Sequence, residues 1–382
     1  MWIEKMMTQP LGIYVHIPFC VKKCGYCDFA SIEDGDSYFA RYTDAVCEEI
    51  ATSKYRGMAA DTIFFGGGTP SLLPPEFLTW ILAALRHTFQ FSANCEISLE
   101  ANPGTISEAK VTAWRMAGFN RVSVGVQSFD DDLLRDCGRI HSSQDARAAL
   151  TLLRAGGYNN INVDLLSGLP GQTSERLLDS VGTAIDFGAK HISLYTLKIE
   201  TGTKFAAALE GGELELPTEE IEDEMYDAAI HELASRKFAR YEISNYALAG
   251  YECRHNLKYW QYQPYLGFGA SAAMFCDGVR STNVNSVHKY IEAITESISA
   301  IREQTTLRKT DAMSEYAFLG LRTAAGICLA DFFELFAENF ETVFAEALVI
   351  CYKSGWLNKN GQHIFLTESG FKFGNQVFAE FI

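Results

Sequence analysis

The chain has 382 residues, of which 48% are hydrophobic and 21% charged, so it can bury a sizeable core and is not a disordered polymer. Its formal net charge of −16, from 32 basic and 48 acidic side chains, opposes non-specific binding to nucleic acid or to an anionic membrane surface. No apolar run approaches membrane-spanning length, and residues 1–9 do not resemble a signal peptide. We therefore expect no integral membrane span and a reducing, cytoplasmic location for the ten cysteines.

A strand-like run, residues 12–17, leads into a short loop that contains three cysteines. Cys20, Cys24 and Cys27 are close enough in sequence for one loop to wrap one inorganic cluster. A zinc site built from cysteine pairs usually has a second pair some way off, and this chain has none. Thiolate sulfur suits an iron–sulfur cluster, and three cysteines would hold three irons of a [4Fe-4S] cubane and leave the fourth iron open. The alternative is three ordinary loop thiols.

Strand-like and helix-like segments then alternate and form six βα units. The predicted strands are residues 13–17, 62–65, 96–99, 121–126, 161–165 and 191–197. The predicted helices that follow them are residues 37–55, 74–89, 107–117, 142–155, 174–187 and 218–236. Short buried strands separated by such helices indicate a parallel sheet, and six units are too few for a complete eight-stranded barrel. We therefore predict an α/β fold in which residues 1–238 form a partial (β/α)6 TIM-like barrel, open at one side.

Glycine and polar residues collect where the predicted strands end, and barrels of this kind carry their chemistry on that side. Gly67 and Gly68 follow the second strand in a turn that a ligand could approach closely, although such a turn is more often only a turn. Glu100 ends the third strand, where the alternative role is an ion pair at the barrel mouth. Asp164 lies within the fifth strand and must face a polar partner or the barrel lumen.

The pattern changes after residue 238, and residues 239–305 are predicted to be an aromatic connector that contains the motif HNLKYW at 255–260. His255 could ligate an iron, and Tyr259 and Trp260 could stack on a flat aromatic ligand. Arg254 could meet a propionate, and Cys253 could be a ligand or an attachment point, ranked below His255. The alternative is a domain seam packed with aromatic rings.

Residues 306–382 are predicted to be a small α-rich domain of winged-helix type. Helical patterns at 329–340 and 344–353 precede two short strand-like segments that look like a wing. Winged helices often bind DNA, but only three lysines lie near this wing, so we expect no nucleic-acid partner. Residues 291–304 are predicted to be a helix that links this domain to the barrel.

The cysteine spacing and its lead-in, YVHIPFC, resemble the radical S-adenosylmethionine (SAM) superfamily, whose common fold is a partial barrel. The resemblance implies that Cys20, Cys24 and Cys27 hold a [4Fe-4S] cluster, and that SAM binds its open iron and is cleaved to a 5′-deoxyadenosyl radical. It also implies an electron donor of the flavodoxin or ferredoxin type. The positions that match SAM contacts in the superfamily are Tyr14, Tyr26, Gly67, Gly68, Thr69, Glu100, Gln127, Arg139 and Asp164.

Within the superfamily, the lead-in looks like the branch that contains oxygen-independent coproporphyrinogen III oxidases (HemN) and HemW-type heme chaperones. The oxidases carry a further cysteine two residues after the third, where this chain has Phe29, and they lack the HNxxYW motif that is intact here. Both differences favour a chaperone that binds heme, with His255, Tyr259 and Trp260 as contacts, and transfers it to an acceptor protein. The alternatives are the oxidase, which converts propionates to vinyl groups, and a winged-helix regulatory protein.

Overall fold

The centre of the computed structural model, which describes residues 2–382, is a set of six parallel strands in the predicted order. These strands are Leu11–Ile17 (β1), Ala59–Gly67 (β2), Gln90–Ala101 (β3), Arg121–Gln127 (β4), Asn160–Ser167 (β5) and His191–Thr196 (β6). Each pairs in parallel with the next along the chain. The prediction of a partial (β/α)6 barrel is therefore confirmed.

The helices between the strands begin and end at the residues that their capping chemistry favours. They are Phe39–Ala51, Pro75–Thr88, Glu108–Ala117, Ser143–Ala155, Ser174–Asp186 and Glu219–Ser235. Ser107 accepts a hydrogen bond from the backbone N–H of Lys110, and Gly118 adopts a left-handed φ of 107° that ends this helix. Ser142 and Asp145 form a reciprocal capping box at the start of the next helix.

Short strands extend the barrel sheet to twelve strands. Beyond β6 lie the antiparallel strands Asn245–Ala247 and Ala239–Arg240, and beyond β1 lies the parallel strand Tyr265–Phe268. Three antiparallel strands complete this second edge: Ala273–Cys276, Val279–Asn283 and Ile301–Thr306. Residues 239–305 thus contribute strands to both edges of the barrel sheet, and the predicted domain boundaries stay a prediction.

The predicted helix at residues 291–304 is wrong. The helix is Val287–Thr295, because Ser286 caps its start and Ser297 adopts a positive φ of 56° just beyond its end. Ile301–Thr306 is instead an edge strand that pairs antiparallel with Val279–Asn283. Its six residues are exposed, so it has no apolar alternation that would mark it as a strand.

The C-terminal domain combines helices with a three-stranded sheet, as a winged helix does. Its sheet consists of Ile327–Cys328, His363–Leu366 and Leu357–Asn360. The remaining helices of the molecule are Trp2–Met6, Asp131–Asp136, Lys204–Glu210, Arg254–Trp260, Lys309–Gly320, Leu329–Phe336, Phe340–Val343, Ala345–Lys353, Glu368–Lys372 and Gly374–Ala379. Within residues 2–382 no helix has both the length and the apolar character needed to cross a membrane.

Candidate functional site

The cysteine loop is tied to the barrel by His16, which the sequence motif contains but for which the sequence analysis proposed no role. The Nε2 of His16 lies 2.9 Å from the carbonyl oxygen of Ala30, and its Nδ1 lies 3.0 Å from the hydroxyl of Tyr14. Burial lowers the pKa of His16, so the ring is neutral: Nε2–H donates to Ala30 and Nδ1 accepts from Tyr14. His16 therefore holds the end of the cysteine loop and the Tyr14 side chain in one arrangement.

The three motif thiols line one cavity and form no disulfide. The hydroxyl of Thr69 lies 3.6 Å from the sulfur of Cys20, and the Nη1 of Arg139 donates to the sulfur of Cys24 at 3.2 Å. No three His, Cys, Asp or Glu side chains among residues 2–382 converge as ligands of a single metal ion. The three thiols thus line one cavity from a single loop, with hydrogen-bond donors beside them, but do not converge on one point. This arrangement fits a cluster, in which each thiol binds a separate iron, better than it fits one mononuclear ion.

The glycine turn after β2 packs directly against the short strand Phe19–Cys20, which contains the first motif cysteine. Gly67 has a φ of 118°, and a Cβ on it would lie 2.7 Å from the ring of His16. A Cβ on Gly68 would lie 2.8 Å from the carbonyl oxygen of Phe19 and 3.1 Å from the sulfur of Cys20. Both positions therefore require glycine, because a side chain would push the turn away from the thiols.

Two carboxylates, Glu100 and Asp164, face the same cavity, and neither forms an ion pair with another residue between 2 and 382. Glu100 accepts a hydrogen bond from the N–H of Gly67 at 3.0 Å, and Asp164 accepts from Asn162 at 2.6 Å and from Ser123 at 3.2 Å. Burial, with a smaller effect from the charge of Asp164, raises the pKa of Glu100 to about 8, and burial also raises the pKa of Asp164. An acidic pair of this kind suits a ligand that brings a positive charge and hydroxyl groups, and the sulfonium and ribose of SAM meet that description.

The cavity collects almost all of the predicted site residues in a volume of about 830 Å³, which lies in the range of ligand pockets. The lining residues from the predicted set are Cys20, Cys24, Cys27, Tyr14, Tyr26, Gly67, Gly68, Thr69, Glu100, Gln127, Arg139, Asp164, His255 and Tyr259. Gln127 has a positive φ of 71° at the end of β4, a backbone state that few non-glycine residues adopt. Trp260 does not line the cavity. Its ring instead packs under the guanidinium of Arg322, 5.6 Å away, in the C-terminal domain.

The helix Arg254–Trp260, which carries the HNxxYW motif and is called the motif helix below, packs on β2 and β3 at their amino-terminal ends. Glu96 accepts hydrogen bonds from the backbone N–H groups of Arg254 at 3.2 Å and His255 at 3.1 Å. These N–H groups open the helix and have no partner within it, so the carboxylate caps its first turn. Lys258, almost fully buried, forms an ion pair of 2.7 Å with Asp61. The motif helix therefore closes the barrel lumen at the amino-terminal ends of the strands, and this end is called the lower lumen below.

His255 is fully buried, and both of its ring nitrogens have partners. Nδ1 lies 2.9 Å from the hydroxyl of Thr62, and Nε2 lies 2.7 Å from the hydroxyl of Tyr259. Its ring stacks on Phe64 with 5.3 Å between centroids. Burial, with the nearby charge of Lys258, lowers the pKa of His255 to about 3, so the imidazole is neutral. Ligation of an iron by His255 would require the metal to replace one of these two hydrogen bonds.

The two other candidates beside the motif point away from a ligand. The thiol of Cys253 is fully buried, and burial raises its pKa to about 12. Its sulfur lies 3.7 Å from Glu96. The guanidinium of Arg254 donates to the carbonyl oxygen of Asn94 and lies 3.3 Å from Asp61. In this conformation neither side chain contacts the cavity.

A network of polar side chains, not predicted from the sequence, lies inside the barrel. Asn162 is at its centre: its Nδ2 donates to Ser123 at 2.6 Å and to Ser193 at 3.0 Å, and its Oδ1 lies 2.6 Å from the Nδ1 of His191. The signal was present as polar residues two positions apart in successive strands, which share a face. These pairs are Ser98 and Glu100, Arg121 and Ser123, Asn162 and Asp164, and His191 and Ser193.

Comparison with known proteins agrees with this site and fold. The family described as "Radical SAM superfamily" matches residues 14–184, and the "HemN C-terminal domain" family matches residues 307–373. The solved structure of coproporphyrinogen III oxidase (HemN) from Escherichia coli superimposes with a TM-score of 0.86 at 24% identity, covering 99% of this chain and 92% of that chain, so the two share a fold. The protein is thus a radical SAM protein with a HemN-type C-terminal domain.

Curated relatives identify the family within that class. The chain is 36% identical to heme chaperone HemW of Bacillus subtilis (strain 168) over 372 residues, which cover 97% of this chain and 98% of that protein. It is 32% identical to heme chaperone HemW of Escherichia coli (strain K12) over 383 residues, with 98% of each chain covered. The chain belongs to the HemW family, and the resemblance seen in the sequence is confirmed.

Proposed function

We propose that this protein is a heme chaperone that carries a SAM-ligated [4Fe-4S] cluster, binds heme and transfers it to an acceptor protein. The observation that supports it best is a single cavity lined both by the three motif thiols and by His255 and Tyr259 of the motif helix. The relatives' name supports the same reading. A flavodoxin or ferredoxin-like electron donor and a cytoplasmic location are part of this proposal.

The residues that would hold the cluster and SAM have distinct roles. Cys20, Cys24 and Cys27 would bind three irons, and Arg139 would stabilise the thiolate of Cys24 through its 3.2 Å contact. Glu100 and Asp164 would neutralise or hydrogen-bond the cationic, hydroxyl-bearing ligand. A SAM-ligated cluster supplies one-electron reduction of the sulfonium when it is bound.

The entrance of the cavity, formed by its exposed lining residues, combines lysines and an aromatic ring with the acidic residues Asp28, Glu200 and Asp223. Lys22, Lys23 and Lys198 line it and would attract the propionate carboxylates as heme approaches, whereas Lys372, also in the lining, is already paired with Asp227 at 2.9 Å. Phe29, which stands where the oxidases have a further cysteine, lines the same entrance and is 64% exposed. An exposed aromatic ring beside lysines suits contact with a flat, anionic macrocycle.

A coproporphyrinogen III oxidase is the second candidate, because the fold is shared with HemN. Anaerobic incubation of the reconstituted protein with coproporphyrinogen III, SAM and a reductant, beside a heme titration, separates the two functions. We expect saturable heme binding, no protoporphyrinogen, and heme transfer to an added apo-hemoprotein. Protoporphyrinogen formation without heme uptake would overturn the proposal.

A further inference from the structure

Arg121, the first residue of β4, is a buried cation that has no ion-pair partner among residues 2–382. Its side chain lines the cavity and is 1% exposed. Its Nε has no hydrogen-bond partner, and Arg121 takes part in no ion pair between residues 2 and 382. Burial alone would lower the pKa of Arg121, but the nearby acidic groups, Glu96 and Asp164 among them, together outweigh burial and raise it, so the guanidinium stays charged.

The acceptors near Arg121 are already engaged elsewhere. Glu96 accepts the backbone N–H groups that open the motif helix, and Asp164 accepts from Asn162 and Ser123. Ser98, which is opposite Arg121 in the register of β3 and β4, is fully buried and its hydroxyl also lacks a partner. A guanidinium with a vacant donor in the cavity wall and, on the adjacent strand, a hydroxyl with no partner are thus neighbours at the lower end of the lumen. Buried donors of this kind are costly unless a ligand satisfies them.

Arg121 is well separated from the guanidinium beside the thiols. Arg139 hydrogen-bonds the carbonyl oxygen of Gly125, which lies four residues further along β4 than Arg121. Four residues of a strand span ~13 Å. One cavity therefore has an arginine near each end, one beside the thiols and one beside the motif helix. An anion held by Arg121 would belong to a part of the ligand far from the cluster.

We propose that Arg121, with Ser98 beside it, is the anchor for a carboxylate of the ligand that occupies the lower lumen, and that this carboxylate is a propionate of a tetrapyrrole. Guanidinium binds carboxylate through two parallel hydrogen bonds, which fixes orientation as well as charge. This inference rests on the proposed heme function. The other source of a carboxylate in this cavity is SAM, and the experiment distinguishes the two.

The test compares heme with heme dimethyl ester, in which both propionates are esterified, by absorbance titration of the anaerobically reconstituted protein. Wild type should bind heme at least tenfold more tightly than the ester, and Arg121→Met should lose most of that preference. Arg121→Lys keeps the positive charge but not the planar guanidinium, so it should lose part of the preference for heme over the ester. This variant replaces Arg121→Met in the test if the Met variant does not fold. Arg41→Met, at an exposed position of the helix Phe39–Ala51, is the matched control and should behave as wild type.

Each outcome bears on the proposal. An unchanged preference for heme over the ester in the Arg121 variants would overturn it. A loss of SAM affinity with heme binding unchanged would assign the carboxylate to SAM and also overturn it. If wild type binds no heme, the proposed chaperone function fails, and the same variants are titrated with coproporphyrin III, which carries four propionates. Binding that weakens tenfold in Arg121→Met would then support the anchor, and binding that is absent or unchanged would refute it.

Discussion

Replacing Tyr259 with Phe tests whether His255 is the ligand of a heme iron. With Nδ1–H donating to Thr62, the lone pair of Nε2 accepts the Tyr259 hydroxyl at 2.7 Å, and an iron would have to take that lone pair. A net hydrogen bond of this kind is worth about 1 kcal/mol, so its removal should tighten heme binding about fivefold if His255 is the ligand. Phe keeps the aromatic ring, so stacking on the ligand is retained.

The assay is a heme titration that follows the Soret band of wild type, Tyr259→Phe, His255→Ala and the double variant that combines the two changes. The double variant should lose the gain in affinity. Tyr265→Phe is the matched control, because its ring lies 4.5 Å from that of Tyr259 and its hydroxyl is bonded to Arg280, not to His255. Heme binding that weakens in Tyr259→Phe as much as in His255→Ala would refute the reasoning, and His255 would then act by holding Tyr259.

Three further predictions concern the cluster, the acidic pair and the motif helix. Cys24→Ala should abolish the visible absorbance of the reconstituted cluster. Cys137→Ala, which changes a buried thiol outside the motif, should keep that absorbance. A brown Cys24 variant would mean that the ligand assignment is wrong. Burial raises the pKa of Glu100 from 4.5 to about 8. The contribution of this group to the unfolding free energy of the ligand-free protein should therefore be greatest below pH 4.5 and be lost as the pH rises from 4.5 through 8. Glu100→Gln should flatten that part of the pH–stability curve in denaturant unfolding, and parallel curves would contradict the assignment. Lys258→Met leaves the mostly buried Asp61 with only its 3.3 Å ion pair to Arg254 and should cost about 2 kcal/mol of unfolding free energy, whereas a loss below about 1 kcal/mol would show that Arg254 and water replace the lost pair.

The barrel was predictable from the sequence because its strands are short apolar runs and its helices carry capping residues. Residues 121–126 and 161–165 were bounded to within two residues of the observed strands Arg121–Gln127 and Asn160–Ser167. The edge strand Ile301–Thr306 was not predictable in this way, because its residues are exposed and it is held in place by pairing with Val279–Asn283. Pairing partners that far away in sequence leave no local pattern.

The candidate site was predictable as a set of residues but not as a cavity. The motif and the superfamily resemblance identified the loop and turn residues that line it, yet they also included Trp260, which packs on Arg322 instead. They omitted Arg121, although the argument applied to Asp164, a charged residue in an apolar strand, applies equally to it. The partners of His255 could not be predicted, since Thr62 lies 193 residues away in sequence.

The most direct test of the account is electron paramagnetic resonance of the reduced, anaerobically reconstituted protein before and after addition of SAM. Three cysteine ligands and one open iron predict the signal of a reduced [4Fe-4S] cluster whose g values shift when SAM binds. Bound zinc in place of iron, or a cluster signal that SAM leaves unchanged, would contradict the account.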